Sequence, residues 1–263
     1  MDQKTGAETM EEKKIGVIKD ELKNTPEECL DAFIASYEAD ERPGVVKMVE
    51  QAKKRFEKLE AEKKRIWELG KFEREYADCG YICGIDEVGR GPFAGPVVAC
   101  AVILPKDCNI LYINDSKKVP EAKREELYDI IMEQALAVGI GMVGPARIDE
   151  INILQATYEA MREAISKLSI KPDILLNDAV TIPGVDIRQI PIIKGDAKSI
   201  SIGAASIVAK VTRDRLMREY DTLFPEYDFA SNKGYGSEKH RAALLEYGPT
   251  PIHRVSYIGN YVK

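Results

Sequence analysis

The chain has 263 residues, 44% of them hydrophobic and 31% charged, and a formal net charge of −6. That length suits one medium catalytic domain with a small appendage. Its longest apolar runs, such as residues 97–104, are strand-sized and too short to span a membrane, and residues 1–14 hold no apolar secretory core, so a cytoplasmic protein without a membrane partner is expected.

The five cysteines fit a reducing compartment. Cys79 and Cys83 are separated by three residues, a poor zinc spacing, and only two histidines are present, so free thiols are expected. The acidic total hides a gradient. Net charge is −3 over residues 1–76, −6 over 77–185 and +3 over 186–263. The last third therefore has the positive surface that a phosphate backbone needs.

The first segment reads as helical. Thr25, Pro26, Glu27 and Glu28 have the form of a capping box with proline at the first helical position, and Cys29, Leu30, Phe33, Ile34 and Tyr37 follow at helical spacing. Residues 40–44 break that helix. A second is expected from about Val45 to about Tyr76, with a thin apolar stripe among charges of alternating sign. Residues 1–76 are thus expected to be a solvated helical extension, and residues 77–263 the catalytic domain.

Strand-like runs follow at 81–88 and 96–104, joined by a glycine-rich turn too short for a crossover helix, so they should pair antiparallel. Residues 109–113 are a candidate third strand. Pro120 opens a helix, 135–143 reads as a strand, and 148–168 as a helix. Short strands at 174–176 and 187–193, a long helix at 199–223 and a last helix at 237–247 complete the pattern. Consecutive strands followed by alternating helices and strands predict an α/β fold, a mixed sheet with helices on its faces.

Asp86 and Glu87 end the first strand. Neighbours on a strand point to opposite faces, so both reach one site only if the chain bends after Asp86, with Gly89 and Gly91 supplying the bend. Asp178 and Asp196 also follow apolar runs. Three strand ends that each carry acid are where an α/β sheet assembles a site. Clustered carboxylates suit Mg²⁺ or Mn²⁺. Two such ions about 3.5–4 Å apart can activate water and stabilise the leaving oxygen of a phosphodiester. The glycine turn does not fit a dinucleotide loop, because a strand follows it instead of a helix.

Asp86-Glu87-Val88-Gly89-Arg90-Gly91-Pro92 with Ala94-Gly95-Pro96-Val97 resembles the signature of the ribonuclease HII family. The likeness continues through Asp115-Ser116-Lys117-Lys118, Ile193-Lys194-Gly195-Asp196-Ala197-Lys198, residues 204–214 and Lys233-Gly234-Tyr235-Gly236. It covers residues 80–255, and Arg90 separates it from the sister type, ribonuclease HIII. The charged N-terminus is similar to the extension of some bacterial members. The resemblance implies a ribonuclease H-like fold, with a mixed five-stranded sheet flanked by helices. It also implies hydrolysis assisted by two Mn²⁺ or Mg²⁺ ions held by Asp86, Glu87, Asp178 and Asp196.

By the same likeness, Gly89, Arg90 and Gly91 would recognise a ribose 2′-hydroxyl, the group that distinguishes RNA from DNA. Tyr235 would stack on the sugar across the RNA–DNA junction. The substrates implied are RNA/DNA hybrids and duplex DNA containing ribonucleotides. These would be cut by a monomer on the 5′ side of the ribonucleotide, to leave 3′-hydroxyl and 5′-phosphate ends. Lys117 and Lys198 flank matched motifs and are the favoured phosphate contacts, with Lys194, Arg213 and His240 as further candidates. Asn177 and Gly203 stand where the family pattern has an aliphatic residue and alanine.

Three other readings compete. A DNA resolvase of the same fold would cut without a ribonucleotide. A non-catalytic nucleic-acid-binding protein would bind without cutting. A two-carboxylate glycosidase fits poorly, since Asp86 and Glu87 are adjacent and the chain has one tryptophan.

Overall fold

Adjacent strands able to pair locally, with helices covering both faces of the sheet, dominate the computed structural model. It describes residues 13–261. The chain divides between residues 65 and 66 into two compact units.

In the first unit, helices α1 (Ile15–Asn24), α2 (Leu30–Tyr37) and the body of α3 (Pro43–Leu69) bury Ile18, Leu22, Leu30, Phe33, Val45, Met48, Val49 and Ala52 in one core. The expected capping box is not formed. The Thr25 hydroxyl donates back to the Glu21 carbonyl at 2.7 Å, and a one-turn 3-10 helix (Glu27–Cys29) precedes α2 without a side-chain cap. Pro43 opens α3 instead of ending a break, as proline does at a first helical turn.

The expected long helix stops at Leu69, before Gly70 and the short α4 (Lys71–Glu75). A side chain at Gly70 would crowd the Arg74 guanidinium, which donates to the Trp67 carbonyl at 2.5 Å and stacks on the Trp67 ring.

The second unit is built on five strands: β1 (Ile82–Val88), β2 (Val97–Ile103), β3 (Ala137–Val143), β4 (Ile174–Asp178) and β5 (Arg188–Ile192). Their order is β3-β2-β1-β4-β5. β1 pairs antiparallel with β2, as its short connection requires, and parallel with β4, which is parallel to β5. α5 (Glu121–Gln134) and α7 (Ile200–Leu223) close one core against β2, whereas α6 (Pro145–Ser166) covers the other face. Gly84 lets α7 approach β1 at backbone distance, because a Cβ there would lie 2.1 Å from the Ser201 carbonyl carbon. Short α8 (Phe229–Asn232), α9 (Glu238–Tyr247) and short α10 (Val255–Ile258) form a third apolar cluster with Ala94 and Met217.

Residues 109–113 are not a strand. Ile110 and Ile113 both enter the core shared with α7, so the segment cannot alternate its faces, and Tyr112 has φ of +69°. α6 is broken at Asn152, with φ of +68°. Its carboxamide oxygen accepts from the N–H groups of Leu154 and Gln155 and so starts the second part as a cap. All five cysteines are free. Among the described residues, no helix is long and apolar enough to cross a membrane.

Candidate active site

The three parallel strands β1, β4 and β5 end on the same side, and the four candidate acids lie at those ends. The β1–β4 ladder stops at Ile85–Asn177, while β1 continues in register with β2 to Val88. Asp86 is therefore level with Asp178, the last residue of β4, and Glu87 stands where β1 outruns its parallel neighbour. The expected bend after Asp86 does not occur; the chain turns only after Val88. The gap beyond β4 supplies the common space that the bend was to provide.

Two sharp reversals close this end of the sheet. Ala179 follows Asp178 with φ of +57°, and Lys194 follows β5 with the same φ, a conformation uncommon for side-chain-bearing residues. Lys194 leads into a one-turn 3-10 helix (Gly195–Ala197) that carries Asp196. The Gly195 N–H donates to Asp178 Oδ1 at 2.7 Å, which ties the β4 acid to the segment bearing Asp196.

Electrostatics join all four. Asp86 is buried, and burial and the neighbouring Glu87 carboxylate push its pKa well above the ordinary carboxylate range. A hydrogen bond from Ser206 on α7 opposes that rise, and the Asp178 charge adds to it. Glu87 is raised by burial despite Arg90, whose Nη1 stands 3.3 Å from Glu87 Oε1. Asp196 is raised by burial, then by Asp115 and Asp178. Buried, mutually repelling carboxylates of this kind are relieved by a cation.

The donors fit a divalent ion. They are hard oxygens, and Glu87 Oε2 is buried without a hydrogen-bond partner. Among the described residues, no three His, Cys, Asp or Glu side chains are already gathered as a finished metal site.

The glycine turn beside them is held from behind. Gly89 has φ of +88°, and a Cβ there would meet Arg213 Nε at 2.3 Å. Two fully buried arginines take up the carbonyls of the turn. Arg254 donates to Gly89, Arg90 and Gly95, and Arg213 to Ala94 and Pro96. Gly89 is thus inside, whereas Arg90 and Gly91 face solvent. The exposed Tyr235 ring lies against Gly91, 3.6 Å from where a Cβ would be.

Lys117 is exposed and close enough for its charge to pull the pKa of both Glu87 and Asp196 down. Lys198 is exposed at the end of the 3-10 turn, and its N–H donates to the Gly195 carbonyl at 2.9 Å. Two of the further phosphate candidates are corrected. Arg213 is buried on backbone carbonyls, and His240 is buried against His253.

Sequence reasoning missed Asp115, Ser116 and Ser206. Asp115 crowds Asp196, and the Ser116 and Ser206 hydroxyls lie 3.0 Å apart behind Asp86. Asp115 and Ser116 immediately precede Lys117, so asking what flanks that lysine would have found them. No local signal marks Arg254.

The family model described as ribonuclease HII matches residues 83–260, about two thirds of the chain. The chain belongs to the ribonuclease HII family. The family's N-terminal domain matches residues 14–77, so the helical segment is a recognised part of the same architecture. A ribonuclease HII from Lachnoclostridium phytofermentans is 65% identical over 94% of this chain and 97% of its own length. One from Clostridioides difficile is 50% identical over 95% and 99%. The crystal structure of ribonuclease H2 from Pyrococcus horikoshii is 28% identical, with a TM-score of 0.57 over 67% of this chain and 93% of its own. The fold is that of ribonuclease H.

Proposed function

We propose that this ribonuclease HII family member is an endonuclease acting on the RNA strand of RNA/DNA hybrids and on ribonucleotides embedded in duplex DNA. It cuts on the 5′ side of the ribonucleotide and leaves 3′-hydroxyl and 5′-phosphate ends. The observation that carries this reading is the juxtaposition of four acids at the ends of β1, β4 and β5 with an exposed Arg90–Gly91 turn faced by Tyr235.

Asp86, Glu87, Asp178 and Asp196 would hold two divalent ions, Mn²⁺ or Mg²⁺. When bound, such ions supply a nucleophilic water and neutralise charge on the leaving 3′-oxygen. The remaining functions belong to the chain itself. Ser206 and the Gly195 N–H orient Asp86 and Asp178. Arg90 and the backbone at Gly91 meet the ribose 2′-hydroxyl, Gly89 shapes the turn, and Tyr235 stacks on the following sugar. Lys117 and Lys198 face the phosphate backbone.

The catalytic domain is placed at residues 77–263, with 1–76 as the charged helical extension, in a cytoplasmic monomer. The test is cleavage of a DNA duplex containing a single ribonucleotide, with the product ends mapped. Cutting 5′ to the ribonucleotide is expected, and an all-DNA duplex should remain intact. Cleavage of all-DNA substrates would favour a resolvase, and binding without cleavage in Mn²⁺ or Mg²⁺ a non-catalytic role.

A further inference from the structure

The chain has two histidines, and the fold brings them together. His240 lies in the first turn of α9, His253 lies thirteen residues on, and their Nε2 atoms are 2.9 Å apart. Two neutral imidazoles make such a contact only if one donates and the other accepts.

Both outer ends decide which. The Tyr235 carbonyl is 2.9 Å from His240 Nδ1 and can only accept, so that nitrogen carries hydrogen and His240 Nε2 is bare. The Thr250 backbone N–H points at His253 Nδ1 over 2.9 Å and can only donate, so His253 carries its hydrogen on Nε2. A single tautomer combination satisfies all three bonds. The result is a directed chain: Thr250 N–H to His253, His253 to His240, and His240 to the Tyr235 carbonyl.

Packing fixes the ring planes. Phe229 stands edge-on to His240 with centroids 5.2 Å apart, and the Tyr227 ring lies 5.1 Å from His253. Both histidines are buried. The far end of the chain is anchored as well. His253 forms a β-bridge with Ala94, and the Arg254 N–H donates to the Phe93 carbonyl at 2.8 Å. One end of the histidine pair is therefore fastened to the segment at Phe93 and Ala94 that leads from the Gly-Arg-Gly turn into β2. The other end is fastened to the backbone of Tyr235, whose ring faces Gly91.

We infer that His240 and His253 are positioning residues: they set the separation between the glycine turn and Tyr235, and so select a ribose followed by an unhindered deoxyribose. The inference rests on the proposed roles of the turn and of Tyr235. It goes beyond them by assigning the specificity-setting spacing to a buried pair that touches no substrate.

The experiment compares His240→Phe, His240→Asn, Tyr235→Ala and the double variant His240→Phe/Tyr235→Ala in the full-length chain. Cleavage is measured on a duplex with one ribonucleotide and on a continuous hybrid. Phenylalanine keeps the ring packing and removes both hydrogen bonds. Asparagine places an amide nitrogen where Nδ1 stood and keeps the bond to the Tyr235 carbonyl.

Loss of that bond should lower kcat/KM at the lone ribonucleotide by about tenfold, with a smaller loss on the hybrid. Asparagine should recover most of the loss, and His240→Phe should have no further effect once Tyr235 is alanine. Equal losses on both substrates, or an undiminished effect in the Tyr235→Ala background, would overturn the inference while leaving the reading of Tyr235 intact. A Tyr235→Ala variant with unchanged cleavage would remove that reading itself, and the inference with it. Nitrogen-15 NMR of the unmodified protein gives a check independent of variant folding. Two imidazole patterns are expected, His240 as the Nδ1–H tautomer and His253 as the Nε2–H tautomer; the reverse assignment excludes the chain.

Discussion

Replacing Arg254 with methionine tests whether the glycine turn is held from within. The Arg254 guanidinium donates to the Gly95 carbonyl from Nε at 3.0 Å and from Nη2 at 2.8 Å, to Gly89 at 2.5 Å and to Arg90 at 2.9 Å. Methionine fills much of the volume and offers no donor, so three carbonyls of one turn lose a partner together. An unsatisfied buried polar group costs about 1–3 kcal/mol. The Arg90 carbonyl belongs to an exposed residue, where water can replace the lost donor. Part of the remainder is offset because burial disfavours the Arg254 charge in the native protein. The net loss expected is about 3 kcal/mol, within the range of large single-site effects and below the total stability of a typical domain.

Urea unfolding followed by circular dichroism should show a lower midpoint with an unchanged slope. Cleavage at a lone ribonucleotide should fall more than tenfold, because the Gly91 backbone and the Tyr235 ring would no longer be held at one spacing. Lysine should not rescue, since one ammonium cannot serve three carbonyls arranged around a planar fork. A stability loss below about 1 kcal/mol with normal cleavage would refute the claim that Arg254 organises the turn.

Asp86→Asn should reduce cleavage by at least about a thousandfold while changing hybrid affinity less than threefold, because it removes a charge needed at the transition state and few binding contacts; near-normal turnover would dismiss Asp86 from the site. Gly89→Ala should destabilise by about 2–4 kcal/mol, from a positive φ and contact with Arg213, and calorimetry showing no drop in melting temperature would contradict that packing. Burial and the neighbouring His240 pull His253 from 6.5 down to about 4. Between those values the unfolded chain binds a proton that the native state refuses, so stability should fall as pH drops from 6.5 towards 4, by on the order of 2 kcal/mol between pH 7 and pH 5. Urea midpoints at pH 7 and pH 5 measure this fall, and His253→Gln should flatten it.

Much of the site was readable because its signals are local. Apolar runs ending in Asp86-Glu87, Asp178 and Asp196 announced strand ends, and the short glycine connection demanded an antiparallel β1–β2 pair. Ser199 opens α7 as a cap, its hydroxyl accepting from the Ile202 N–H. Residues 109–113 misled because a short apolar run looks strand-like until Ile110 and Ile113, three apart, are seen entering one core. Arg213 and His240 read as candidate phosphate contacts, and Arg254 gave no signal. Their burial depends on carbonyls or a ring contributed from elsewhere in the chain, which no window of sequence contains.

Residue types and spacing were enough to specify an acid-bearing α/β sheet, the glycine turn and the tyrosine beyond it, since hydrophobic period and turn chemistry act over a few residues. Strand order and register decided the rest. Asp86 stands level with Asp178 and Glu87 beyond it because of the β1–β4 register, which exists only once the strands are paired. Tyr235 meets Gly91 because two buried arginines and a histidine pair join segments far apart in the chain. Such contacts are set by the meeting of distant backbone groups that must each find a hydrogen-bond partner away from water.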